Sequence, residues 1–120
     1  MLALVTGASS GIGLMYAREL ARQGHDLIVV SNMEEALLQT AREIEEQFHV
    51  NVLPIYKDLT DAKAAEELHQ TCLEKGLEVD ILINNAGVFF FNYLCETSMS
   101  RIELMLNLHV MNTTRMTRIF

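Results

Sequence analysis

Basic side chains are scarce in this chain of 120 residues: nine Lys and Arg stand against sixteen Asp and Glu, for a net charge of −7. That balance argues against broad binding to nucleic acid or to an anionic membrane, although it leaves room for a phosphate held by backbone N–H groups. Long apolar runs are missing as well. Met1-Leu2-Ala3 opens the chain without a basic leader, and no stretch is long enough to span a membrane, so neither a signal peptide nor a membrane partner is expected. Cysteine is limited to Cys72 and Cys95, far apart and outside any Cys-x-x-Cys spacing. Two reduced thiols in a cytoplasmic protein are the expectation. His25, His49, His69 and His109 are scattered, with no ligand spacing and no neighbouring cysteine pair, so no metal site is expected. There is no internal repeat, low-complexity tract or linker. Half of the residues are hydrophobic, which is enough to build the buried core of one domain.

Those apolar residues alternate between two periods. Residues 2–6 read as a strand and 11–23 as a helix with Ile12, Met15 and Leu20 apolar, stopped by Gly24. Residues 27–30 form a continuous apolar run, as in a strand covered on both faces. Residues 33–47 repeat apolar positions at Leu37, Leu38, Ala41 and Ile44 beneath an acidic outer face that includes Glu43, Glu45 and Glu46. Residues 50–56 form a third strand, whose Pro54 (the single proline) lacks an N–H for the ladder and places it at an edge. Thr60 is expected to cap a helix through residue 75, with Gly76 after it. A fourth strand spans 79–83, then a loop 88–97 and a last helix 98–118. Strands separated by helices imply an α/β fold: a parallel sheet with helices on both faces and right-handed crossovers. A strand order of 3-2-1-4 reverses direction beside the first strand, and ligands bind at such switch points, outside the carboxyl ends of the strands.

Several motifs converge on that edge. Thr6-Gly7-Ala8-Ser9-Ser10-Gly11-Ile12-Gly13 follows the first strand and opens the first helix. In this setting glycines permit a tight turn, and the helix N-terminus offers free N–H groups and a positive dipole end to a pyrophosphate. The same residues could form an ordinary strand-to-helix turn, but the context favours a dinucleotide loop. Asn84-Asn85-Ala86-Gly87 follows the fourth strand, where small residues let a ligand approach the backbone. Asp58-Leu59 ends the third strand. Taken alone, Asp58 reads as an acidic residue near the start of the next helix, and Asn107 as a boundary residue in the last one. Ser31-Asn32 ends the second strand, where a carboxylate would bind the ribose 2′-hydroxyl of NAD. None is present there, and both side chains can donate to a 2′-phosphate, so the balance falls on NADP.

In order and spacing, Thr6-Gly7-x-x-x-Gly11-x-Gly13, Asp58-Leu59, Asn84-Asn85-Ala86-Gly87 and Asn107 resemble the short-chain dehydrogenase/reductase family over the whole chain. The resemblance implies a Rossmann-type sheet and hydride transfer between NAD(P)H and a small carbonyl or alcohol substrate. It implies that Gly7, Ser9, Ser10, Gly11, Ile12 and Gly13 hold the phosphates and adenosine ribose. Ser31 and Asn32 would sit at the 2′ position, Asp58 and Leu59 at adenine, and Asn85, Ala86 and Gly87 along the cofactor. Asn84 would brace the sheet. Asn107 matches the asparagine of the family's catalytic Asn-Ser-Tyr-Lys set, and a complete protein would form a homo-oligomer. A non-catalytic NADP-binding module and a regulatory subunit are the alternatives.

The family's catalytic Ser and Tyr-x-x-x-Lys have no counterparts in these residues: Tyr16, Tyr56 and Tyr93 are not followed by lysine four positions on. The expectation is a chain truncated before the fifth strand, with the fourth strand as an open edge and parts of Leu104, Met105, Leu108 and Met111 exposed. Phe89-Phe90-Phe91 reads first as loop packing and second as part of an apolar substrate wall, and Met99, Met105, Met111 and Met116 as adaptable packing. The tyrosine of that set protonates the forming alkoxide, and Asn107 cannot replace it. The pure 120-residue chain should therefore show no appreciable NADPH oxidation with a panel of aldehydes and ketones; robust turnover would contradict this.

Overall fold

A computed structural model of the chain describes residues 1–88 and 90–120. Its elements run β1 (Leu2–Thr6), α1 (Gly11–Arg22), β2 (Asp26–Ser31), α2 (Glu34–Phe48), β3 (Val52–Tyr56), α3 (Ala64–Glu74) and β4 (Ile81–Ile83). After β4 come a single 3-10 turn (Leu94–Glu96), α4 (Met99–Leu106), a π-helical segment (Asn107–Asn112) and α5 (Thr113–Ile119). The four strands are parallel in the order β3-β2-β1-β4, so Pro54 lies on an edge strand, opposite Val29.

The two faces of the sheet explain the continuous apolar runs. Ala3, Val5, Leu27 and Val29 point to one side and pack with Ala17 and Ala21 of α1 and Leu37, Ala41 and Ile44 of α2. Leu4, Ile28 and Val30 point to the other and pack with Ala65, Leu68 and Cys72 of α3, with Leu108, and with Met116 of α5. A strand buried on both faces can carry no polar alternation. α1 and α3 close alike. Gly24 N–H donates to the Ala21 carbonyl and His25 N–H to that of Leu20, while Gly76 and Leu77 donate to Leu73 and Cys72. Both are Schellman turns, which satisfy carbonyls left open at the helix end.

Four expectations need correction. Thr60 does not cap α3. Asp58 Oδ1 accepts from the Thr60 N–H and hydroxyl, and Asp61 Oδ1 from the Lys63 N–H. These local side-chain bonds hold residues 58–63 in turns, and the helix starts at Ala64. β4 is shorter than 79–83, because Asp80 leaves the regular ladder: its carboxylate accepts from Leu2 N–H while its own N–H donates to the Leu2 carbonyl. The last helix is interrupted by the π segment. There the hydroxyls of Thr113 and Thr114 donate to the Leu108 and Val110 carbonyls, bonds that compete with the ordinary helical ladder. Finally, Ile12, Met15 and Leu38 do not join the core; Ile12 and Met15 are 68% and 71% exposed, whereas Leu108 is buried.

Cys72 is buried and Cys95 exposed, and both are free. Burial also pushes the Cys72 thiol above its ordinary pKa. A thiol-reactive reagent should therefore modify Cys95 promptly in the native chain and Cys72 only after denaturation. Equal rates at both would mean that the face covered by α3 is open.

Candidate functional site

β1, β2, β3 and β4 all end at one edge of the sheet, and the loops leaving them enclose a cleft of about 250 Å³. Gly7, Ser9 and Ser10 line it after β1, Ser31 and Asn32 after β2, Lys57 and Asp58 after β3, and Asn85, Ala86, Gly87 and Val88 after β4. Most of the candidate residues, separated by up to 80 positions in sequence, are thus brought to one place by the parallel topology. The cleft straddles the reversal in strand order between β1 and β4.

The loops on its two sides are joined through Thr6, which is 1% exposed. Its hydroxyl oxygen accepts from the N–H groups of Asn85 and Ala86, both at 3.0 Å, and its proton points to the Ile83 carbonyl at 3.4 Å. One donor and two acceptor sites are the full capacity of a hydroxyl. Asn85 Nδ2 adds a bond to the Gly7 carbonyl at 3.3 Å. The glycines fit this close join. A Cβ on Gly13 would lie 2.2 Å from the Gly7 carbonyl oxygen and 2.4 Å from Asn85 Nδ2. A Cβ on Gly7 (φ +66°) would lie 2.8 Å from Asn85 Nδ2 and 2.9 Å from Ala86 Cα, whereas Gly11 (φ +56°) faces open space. Positive φ at both positions is conformational territory for glycine.

The start of α1 is built to receive an anion. Its Ser10 N-cap makes no side-chain bond to the helix, and the first turn carries no acidic residue. The earliest ladder bond runs from Leu14 N–H to the Ser10 carbonyl, so the N–H groups of Gly11, Ile12 and Gly13 precede the ladder. Anions are favoured at such a terminus by the free donors and the helix dipole together. Ser10 lines the cleft beside these donors, whereas Gly11, Ile12 and Gly13 are not among its lining residues.

The other candidates are placed less uniformly. The Ser31 hydroxyl is buried, 2.8 Å from that of Ser9, and accepts from Met33 N–H, so it ties the β1 and β2 loops together and is engaged within the protein. Asn32 is exposed on the cleft wall. Asp58 combines a wall position with its bonds to Thr60, and Leu59 is both wall and core. The Ile12 side chain faces away, beside Met15, Tyr16 and Phe48. Asn84 Nδ2 donates to the Thr117 hydroxyl, which fastens the end of β4 to α5. Asn107 opens the π segment but borders a separate depression with Glu103, Leu106 and Val110; Leu108 is the helix residue that reaches the cleft. In the phenylalanine run, Phe90 lies under the Arg101 guanidinium at 4.2 Å, Phe91 is 91% exposed, and Phe89 lies outside the described residues.

Two contributors carry weak sequence signals. Thr6 is a hydroxyl ending an otherwise apolar strand, a position where a buried polar group must find partners. Lys57 places a cation on the cleft wall, its Nζ 2.8 Å from Glu67 Oε2. Only its place after β3 brings it there.

Comparison with known proteins agrees with this geometry. A family model described as short chain dehydrogenase matches residues 1–120. A very-long-chain 3-oxoacyl-CoA reductase of Anas platyrhynchos is 36% identical over 98% of this chain, which corresponds to 38% of that protein. Among solved structures, a bulky-bulky ketone specific alcohol dehydrogenase from Comamonas testosteroni aligns with a TM-score of 0.91 at 34% identity. It covers 98% of this chain and 47% of that one. L-sorbose reductase from Gluconobacter frateurii, complexed with NADPH and L-sorbose, aligns with a TM-score of 0.92 at 30% identity, over 98% and 45% of the two chains. The chain thus spans less than half the length of each of these relatives.

Replacing Thr6 by Val keeps the shape and removes the hydroxyl, leaving the Asn85 and Ala86 N–H groups unpaired. The expected cost is about 1–3 kcal/mol in urea unfolding, with Thr6→Ser close to the parent. A Thr6→Val chain as stable as the parent would show that the two loops are held by something else.

Proposed function

The chain belongs to the short-chain dehydrogenase family, and on that premise we propose that residues 1–120 hold NADP(H) for oxidoreduction of a small carbonyl or alcohol. The observation that carries the reading is the cleft at the switch point, with an uncapped helix N-terminus on one wall. Where Ser10 reaches that wall, the adjoining N–H groups of Gly11, Ile12 and Gly13 receive the pyrophosphate, backed by the α1 dipole. The adenosine end then runs toward the loops after β2 and β3, between Asn32 and Asp58. The nicotinamide end runs the other way, along Asn85, Ala86 and Gly87 after β4.

The preference for NADP over NAD rests on two features. Residues 31 and 32 offer no carboxylate to repel a 2′-phosphate, and Lys57 adds a cation on the wall that Asn32 also borders. An NADPH complex of the similar L-sorbose reductase supports the same direction. When bound, the nicotinamide supplies or accepts the hydride. The contribution of this chain is to orient it through the braced loop after β4, leaving proton transfer to an acid of the Tyr-x-x-x-Lys kind that these residues do not contain. Cofactor holding without turnover is therefore the activity proposed for the chain by itself.

Titration with NADPH, followed by its fluorescence or by melting temperature, tests the reading. Saturable binding is expected, weaker for NADH, and Ser10→Glu should abolish it by placing a carboxylate where the pyrophosphate belongs. Lys57→Gln should narrow the NADPH-over-NADH ratio by about fivefold, the size of one exposed charged hydrogen bond. Equal affinity for both nucleotides in the parent would remove the NADP preference, and binding of neither would remove the function.

A further inference from the structure

Gly87 does not have the positive φ seen at Gly7 and Gly11, so its backbone conformation does not call for glycine. Space does. A Cβ at this position would lie 2.8 Å from Cε1 of His109, closer than real side chains come. The imidazole occupies the place that a side chain at residue 87 would need. Its Nε2 also sits 2.8 Å from the Val88 carbonyl oxygen and 3.1 Å from the Val88 N–H. One tautomer donates to the carbonyl and the other accepts from the N–H, so either makes a bond to the backbone of residue 88.

His109 belongs to the π segment, whose Leu108 and Asn112 are buried while His109 itself is exposed. The backbone of the loop after β4 is therefore held from both sides, in addition to the side-chain bonds of Asn84 and Asn85. Thr6 holds the N–H groups of Asn85 and Ala86 from the β1 side, and His109 holds Val88 from the helix side. Between them lies Gly87, on the wall that the proposed function assigns to the nicotinamide half of the cofactor.

We propose that His109 is a positioning residue: its ring, seated against Gly87 and bonded to Val88, sets the loop after β4 for the nicotinamide half of the dinucleotide. This rests on the cofactor reading above. It concerns one end of the site only, because the adenosine end is formed by the loops after β2 and β3, which His109 does not bond.

The test uses two ligands and five forms of the chain: the parent, His109→Ala, His109→Gln, Gly87→Ala and the double variant Gly87→Ala/His109→Ala. NADPH spans the whole site, whereas adenosine 2′,5′-bisphosphate occupies the adenosine end. Loss of the single hydrogen bond in His109→Ala should weaken NADPH by ~3–10-fold and leave the bisphosphate within about twofold. His109→Gln, which can still bond the backbone, should recover most of the loss. Gly87→Ala should weaken NADPH in the parent, because the methyl displaces the ring, but add nothing once His109 is Ala. Should Gly87→Ala fail to fold by circular dichroism, the His109→Ala and His109→Gln pair decides the matter. Equal losses for the two ligands, or a Gly87→Ala cost that persists without the imidazole, overturns this inference alone. A parent chain that binds the bisphosphate but not NADPH also overturns it. A parent that binds neither overturns the functional reading and this inference with it.

Discussion

The organisation of the cleft depends on the hydroxyl of Thr6. β1 and β4 are neighbours in the sheet, but β4 contributes only three residues to it, so ladder bonds alone reach no further than Ile83. Beyond that point the chain must be held by other means, and Thr6 uses every hydrogen-bonding site on its oxygen to do so. The cost of leaving two buried-side N–H groups unpaired makes the bond pattern hard to abandon. Through it, the β1 turn and the loop after β4 stand at a fixed separation, with Gly13 and Gly7 lacking side chains because the amide of Asn85 passes too close for one.

A chain with net charge −7 is an unpromising host for a phosphate-rich ligand if only total charge is considered. Local arrangement outweighs the total. The acidic residues are carried largely on the outer surfaces of the helices, as in α2 and α3, and α1 has none in its first turn. Screening confines such surface charges to roughly 10 Å, whereas N–H groups at a helix terminus touch the ligand directly. Glu19 illustrates the outward bias. It sits late in α1, paired with Arg22 and Gln23, which hold its carboxyl at a pKa of about 2, and it faces solvent rather than the cleft.

Much of the fold was legible because burial on both faces leaves a plain mark. The runs in β1 and β2 could be read as strands, and Pro54 placed β3 at an edge. The failures were local and polar. Asp58 and Asp61 each bind a backbone N–H two residues on, which delays α3 in a way that helix periodicity does not reveal. Threonine hydroxyls bonding back to helix carbonyls accompany the π segment, where an uninterrupted helix was the simpler reading. Ile12 and Met15 marked the helix by being apolar, yet they are exposed, because Ala17 and Ala21 make the contact of α1 with the sheet. At the site, residue types indicated the glycine turn and the loop after β4, but not which hydroxyls were already engaged. Ser31 is the clearest case: its place at the end of β2 suggested a free donor, and only the fold brings Ser9 within 2.8 Å of it.

On the proposed reading, the first turn of α1 and the loop after β4 form two sides of one dinucleotide site. Nitrogen-15 chemical shifts of the labelled chain during titration with NADPH test it most directly, residue by residue. The largest changes are expected at the amides of Gly11, Ile12 and Gly13 together with Ala86 and Gly87, saturating at one common ligand concentration. Shifts confined to one of these loops, or centred on the outer face of α1 near Met15 and Tyr16, would contradict it.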